Sequence, residues 1–271
     1  MTIQEFKTKN GLEKINFYSV DGHLYVEPIN VKLEVNKNIN LDDLKDPSKL
    51  SIIQYYNGFV LSKDGNVEPY GIKLSGHWNE GFALDLHTLS SFPIKDAEGN
   101  NITNNYGNIQ WDTKRPPIAE ELYKLKYWKE KSHVNAIAKY AGDFINRYKG
   151  KWQLDLIIPI PPSDLTRTFQ PVYEMAQSIG IHCSLPVDFK SLVKLKTTSQ
   201  LKEIDDPEIR KEVLKDAFSI KNNILEGKDV LLFDDLYRSG ETLNAVCDVI
   251  QNIGKARGVY ILTITKTRIK K

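Results

Sequence analysis

Cysteine is nearly absent from this 271-residue chain: it has two, Cys183 and Cys247, far apart in sequence. No Cys-x-x-Cys occurs, which excludes a four-cysteine zinc ribbon, and nothing points to a disulfide scaffold, so a reducing cytoplasm is the expected setting. An excess of either charge is also missing. Thirty-seven Lys and Arg against 35 Asp and Glu leave +2, which neither demands nor excludes a nucleic-acid partner, because a local basic patch can sit on a near-neutral protein. There is no long apolar run. The best, Leu156-Ile157-Ile158-Pro159-Ile160, is far too short to span a bilayer, and no membrane partner is expected. Met1-Thr2-Ile3-Gln4-Glu5 shows no basic segment leading into an apolar stretch, so no secretory leader is expected. Internal repeats and low-complexity tracts are absent too. What is present is ordinary globular balance, 41% hydrophobic and 27% charged, enough for a packed core in one large domain or two modest ones.

Two regions differ in their patterning. Residues 1–111 read as β and turn. Ile15 to Val20 meets Asp21-Gly22 and then His23 to Glu27, a hairpin signal. Val31, Leu33 and Val35 alternate with polar neighbours, as do Phe82, Leu84 and Leu86. Residues 112–271 alternate strand and helix. Pro116-Pro117 suits a helix start, followed by Ile118, Leu122 and Leu125 at helical spacing. Ser132 is placed to cap a second helix carrying Val134, Ile137, Ala138, Ala141 and Ile145. Asp155–Ile160 reads as a strand, Val172 to Ile179 as a helix stopped by Gly180, Asp229–Phe233 as a buried strand, Leu243 to Ile253 as a helix stopped by Gly254, and Val259–Thr265 as a final strand. This alternation predicts an α/β domain, a mostly parallel sheet flanked by helices, preceded by a β-rich region. The proline-stiffened link from Asp112 to Pro117 predicts that the β-rich part is no floating module.

The chemistry concentrates after the buried strand. Val230-Leu231-Leu232-Phe233 runs into Asp234-Asp235, and Leu236-Tyr237-Arg238-Ser239-Gly240-Glu241-Thr242 leads into a helix. Ligands of open α/β sheets bind beyond the carboxyl ends of the strands. A loop entering a helix presents backbone N–H groups and the positive end of the helix dipole, which together favour an anion. Gly240 lets the backbone approach a phosphate, the Ser239 and Thr242 hydroxyls can donate to it, and two carboxylates accept from hydroxyls or hold a divalent cation's shell. A phosphorylated sugar answers this set, with its diol on the acids and its phosphate in the loop. The competing reading is a surface turn with two solvated acids.

The pattern of strand, two acids, three variable positions, Ser, Gly, any residue and Thr resembles the phosphoribosyl-pyrophosphate (PRPP) signature of type I phosphoribosyltransferases. With Leu125-Lys126-Tyr127, Ile158-Pro159-Ile160-Pro161, Arg167-Thr168-Phe169, Lys194 to Gln200, and Arg210 followed by Ala217-Phe218, the order resembles the ComF branch, over about Ile118 to Arg268. The resemblance implies that Asp234 and Asp235 hold the ribose hydroxyls, while Arg238, Ser239, Gly240, Glu241 and Thr242 hold the 5′-phosphate. It implies that Pro161, Pro162 and Ser163 form the pyrophosphate loop with Arg167 as a nearby cation, and that Lys194 and Lys196 belong to a flexible loop. Mg²⁺ would enter through PRPP, and no metal ligand of the protein's own is assigned.

Three departures stand out. The family's zinc ribbon has no counterpart, its Arg-Gly-Phe-Asn-Gln stretch reads Arg167-Thr168-Phe169-Gln170-Pro171, and an expected Asn is Val213. Two functions stay open: phosphoribosyl transfer from PRPP to a small-molecule acceptor with pyrophosphate release, or a non-catalytic PRPP-, nucleotide- or single-stranded-DNA-handling module in DNA uptake or processing, either of which admits a homodimer. Bland readings stand beside these. Arg167 and Arg238 also suit solvated charges, Leu192 to Lys196 suits a half-exposed strand, and Lys126 with Tyr127 and Trp128 suits a packed core edge or a patch for single strands. Asp85, His87 and His77 form a weak metal pattern.

Overall fold

In the computed structural model, residues 1–27, 33–35, 39–55, 58–63, 71–162, 164, 166–195, 214 and 216–268 are described. They form two compact units, Met1–Gly71 and Ile72–Arg268. The division differs from the boundary expected at 111/112, because two strands of the earlier region belong to the main sheet.

The first unit begins with helix α1 (Ile3–Lys9), closed by a reciprocal capping box between Thr2 and Glu5. Strands β1 (Asn16–Val20) and β2 (His23–Glu27) form the expected hairpin. Asp21 (φ 49°) and Gly22 (φ 80°) both take left-handed backbone at its turn, as a two-residue loop matched to strand twist requires. Strands β3 (Leu33–Val35), β4 (Leu50–Tyr55) and β5 (Gly58–Lys63) form a small sheet in the order β3-β5-β4. Phe6, Leu24, Ile39, Ile52 and Leu61 are the centre of this unit's core.

The second unit contains β6 (Ile72–Lys73), β7 (Glu80–Leu86), β8 (Ser90–Pro93), β9 (Trp111–Lys114), α2 (Pro117–Tyr127), α3 (Ser132–Tyr148), β10 (Leu156–Pro159), α4 (Pro171–Cys183), β11 (Leu192–Lys194), β12 (Phe218–Ile220), β13 (Asp229–Tyr237), α5 (Glu241–Asn252) and β14 (Gly258–Lys266). Its main sheet has the order β10-β13-β14-β7-β6, with β10, β13, β14 and β7 all parallel and only β6 antiparallel. The expected mostly parallel sheet flanked by helices is therefore present. Despite the alternation of Phe82, Leu84 and Leu86 with other residues, β7 is buried from Gly81 to Leu86, as a central strand covered on both faces must be.

Alternation along the strands divides the core in two. Ile157, Leu231, Phe233, Leu262 and Ile264 pack with α2, α3 and α4. Leu156, Ile158, Val230, Leu232, Val259 and Ile261 pack with α5 on the other face. Helix α2 starts at Pro117 as expected, but α3 takes Lys131 as its cap, with Ser132 inside the first turn. Gly180 does not stop α4. The helix continues to Cys183 and ends at Ser184, which adopts left-handed backbone (φ 56°). A Cβ on Gly180 would run into Val187 and the Leu185 carbonyl, so this glycine allows a close approach. No described helix is long and apolar enough to cross a membrane.

Candidate functional site

Proline cannot donate to a ladder, and β10, the outermost strand of its sheet, carries Pro159 as its last residue. Pro159 stands opposite Phe233 in the register, and the Ile160 N–H donates to the Phe233 carbonyl across 2.9 Å. The loop after β10 is thereby placed beside the end of β13, at the carboxyl edge of the sheet. Pro161, Pro162, Asp164 and Arg167 from this loop, Lys194 from β11, and Asp234 to Thr242 line one cleft of about 600 Å³. Lys126 and Tyr127 from the end of α2 also line it.

The two acids face different surroundings. Successive strand residues point to opposite faces; Asp234 continues the Val230–Leu232 row and Asp235 the Leu231–Phe233 row. Lys126 on α2 meets Asp235 accordingly, with Nζ 2.6 Å from Oδ2. The Asp235 carbonyl accepts from the Thr265 hydroxyl at 3.3 Å, and that hydroxyl also meets His87 Nδ1 at 3.1 Å. Burial holds the His87 imidazole below its ordinary pKa, helped by the charges of Lys126 and Arg115. Asp234 accepts from the Asp235 N–H at 2.8 Å. Although it keeps some opening to the cleft, its carboxyl is raised to about 7, first by burial and then by the charge of Asp235. Burial pulls the Lys194 ammonium down while Asp234 pulls it up.

The loop from Arg238 to Thr242 turns on Gly240, which caps α5 with φ +87°. A Cβ there would lie 2.7 Å from the Tyr237 hydroxyl and 3.0 Å from its ring. Glycine is therefore needed twice over, for the dihedral and for the space. The Tyr237 ring in turn rests edge-on against Trp78, 6.5 Å between centroids. In the loop after β10, Asp164 organises the chain. Its carboxylate accepts from the Thr166 N–H at 2.9 Å and from the Arg167 Nε–H at 3.2 Å, and the Thr166 hydroxyl, then backbone, hold it below the usual carboxylate range.

Of the residues expected from sequence, Asp234, Asp235, Arg167, Pro161, Pro162, Lys194, Arg238, Ser239, Gly240, Glu241 and Thr242 all come to this one cleft. Arg167 reaches it already tied to Asp164. Ser163 and Lys196 lie outside the described residues, as do Arg210 and Val213. Lys126, read from sequence only as part of a core edge or a single-strand patch, instead lines the cleft and pairs with Asp235. A signal was available: it sits four residues after buried Leu122, beside the apolar stripe of α2, where a cation needs a partner. His77, Asp85 and His87 part company: His77 pairs with Asp248 at 2.8 Å, Asp85 accepts from the Leu86 N–H, and His87 meets Thr265. Among the described residues no group of three or more His, Cys, Asp and Glu is arranged to hold a metal.

No family model matches the chain. Competence protein ComFC of Bacillus subtilis (strain 168) is 26% identical over 154 residues, 55% of this chain and 60% of that protein. The chain thus spans less than two thirds of that relative's length. Among solved structures, an adenine phosphoribosyltransferase from Leishmania donovani is 12% identical, covering 59% of each chain, with a TM-score of 0.35. A hypoxanthine phosphoribosyltransferase from Staphylococcus aureus is 17% identical, covering 50% of this chain and 64% of its own, with a TM-score of 0.31.

Proposed function

From a ComF-like chain whose parallel sheet ends in an acid–acid–Ser–Gly–Glu–Thr loop, we propose a phosphoribosyltransferase that binds PRPP and transfers its phosphoribosyl group to a small-molecule acceptor, releasing pyrophosphate. The observation that carries the reading is the presence, in the lining of one cleft, of the Asp234–Asp235 pair and the glycine-capped start of α5. In this reading the acids accept from the ribose 2′ and 3′ hydroxyls. The first turn of α5, with the Ser239 and Thr242 hydroxyls, holds the 5′-phosphate. The Pro161–Pro162 loop and Arg167 face the pyrophosphate, where Arg167 would exchange Asp164 for a phosphate oxygen.

The reaction breaks the bond from C1 to the pyrophosphate oxygen and forms a bond from C1 to the acceptor. The ribose becomes cationic in between, so the protein's work is positioning and electrostatic support. Two adjacent carboxylates suit Mg²⁺, which takes one or two of them and completes its shell with phosphate oxygens and water. Bound there, it would neutralise charge on the leaving pyrophosphate.

A second reading rests on the end of α2, where Tyr127 lines the cleft. Tyr127 is 68% and Trp128 56% exposed, with Lys124 Nζ 5.8 Å above the Trp128 ring. Exposed aromatics beside cations suit stacked single-stranded bases, as in a non-catalytic DNA-handling module. The deciding experiment incubates the protein with PRPP, Mg²⁺ and a panel of nucleobases and amines, measuring pyrophosphate, alongside fluorescence titration with a labelled single-stranded oligonucleotide. Pyrophosphate release with an acceptor supports the transferase. Oligonucleotide binding that Trp128→Ala abolishes, with PRPP left intact, supports the second reading. A folded protein that does not bind PRPP removes the first.

A further inference from the structure

We infer that Lys126 is a positioning residue for the acid pair: it holds Asp235 through Oδ2 and leaves Oδ1 to accept a ligand hydroxyl, so that the two neighbouring aspartates are not equivalent. The inference rests on the reading that the cleft takes a ribose diol. Its geometric basis is the 2.6 Å contact between side chains only 28% and 15% exposed, which is not the arrangement of a solvated surface pair. Lys126 lies in the last turn of α2, where the helix dipole favours a cation. The Asp235 main chain is held separately by the Thr265 hydroxyl, so Lys126 has the side chain alone to orient. A carboxylate has two oxygens and about four acceptor positions; Lys126 occupies one oxygen and fixes the rotamer of the other. Asp234 has no such pin from α2, because its row faces α5.

Without Lys126, two consecutive carboxylates would confront each other with less compensation, and Asp235 would turn freely. The other charges near the pair are Lys194 from β11, which with Lys126 draws the Asp234 carboxyl down, and Arg115 and Arg238, which with Lys126 and Asp235 act on the His87 imidazole. Among these, Lys126 alone makes the short contact to Asp235.

The test is a double-mutant cycle on PRPP affinity with MgCl₂ present, by calorimetry, for Lys126→Met combined separately with Asp235→Asn and Asp234→Asn. Lys126→Met should weaken binding by about 10- to 100-fold, the range of one charge-assisted contact. Adding Asp235→Asn to it should cost little more, whereas adding Asp234→Asn should multiply the loss. Lys126→Arg should recover most of the affinity. Independent, multiplying effects at 126 and 235 overturn the inference. A ligand-free arm separates this from the wider reading: crystal structures of wild type and Lys126→Met without ligand, each protein first shown to unfold cooperatively. The Asp235 carboxylate should keep one rotamer in wild type and take a different or mixed one in the variant, and an unmoved carboxylate overturns the inference. If wild type binds no PRPP, the phosphoribosyl reading falls, and the Asp235 rotamer alone decides whether Lys126 orients it.

Discussion

At the scale of single residues, the cleft depends on charge more than on shape. Asp234→Asn with Asp235→Asn keeps volume and turn geometry but removes charge-assisted hydrogen bonds worth about 1.5–3 kcal/mol each. PRPP binding should fall by roughly two to four orders of magnitude with the unfolding transition intact; calorimetry giving equal affinities would defeat the diol assignment. Asp234 adds a pH dependence. Its folded pKa, about 7, lies above the ordinary 3.8. Its contribution to stability is therefore present below about 4 and is lost as pH rises through about 7. A ligand that needs the ionised carboxylate gains over the same window, so PRPP affinity should rise from about pH 6 to about pH 8, with proton release on binding. Asp234→Asn should flatten that profile, and calorimetry in buffers of different ionisation heat reads it directly. Asp234, Asp235 and Gly240 were legible in the sequence because their meaning is local, a strand end followed by a helix start. Lys126 was not, because its partner is brought to it by the fold.

At the scale of elements, Gly180 contradicts propensity. Alanine favours a helix interior by about 1 kcal/mol over glycine, and α4 is a regular helix through this position. A methyl group there would meet Val187 and the Leu185 carbonyl, in the segment whose bridge from Val187 to Ile157 covers the free side of β10. Gly180→Ala should thus destabilise the protein, by about 1–3 kcal/mol as overpacking does, and a urea midpoint that rises instead would show that the contact yields. The helix start at Pro117 and the hairpin at Asp21-Gly22 could be read from sequence, since each is dictated by a backbone dihedral. The end of α4 could not, since glycine serves both turns and close packing.

At the scale of the whole molecule, the boundary is the lesson. β7 looks from its alternation like part of the β-rich region, yet it pairs in parallel with β14, about 180 positions later, a partnership that no local pattern reveals. A fragment of residues 72–268 should therefore unfold cooperatively, and one starting at 112 should not, because it lacks Phe82, Ala83, Leu84 and Leu86 from the core. Circular dichroism melts of the two fragments check this; a cooperative melt of the shorter one would show that β7 is dispensable.

The same pairing sets an order in time. A ribosome adds on the order of 5–20 residues per second, so β7 leaves it roughly nine to thirty-six seconds before the strand that must lie beside it. Until β14 is made, β13 and β7 each carry a bare row of donors and acceptors, the kind of edge that recruits strands from other chains. The nascent polypeptide thus has its longest sticky interval just before β14 is made. A translation stall between Asn252 and Gly258 should yield aggregates or chaperone-bound chains, while a stall after Lys266, with β14 available to both strands, should be milder.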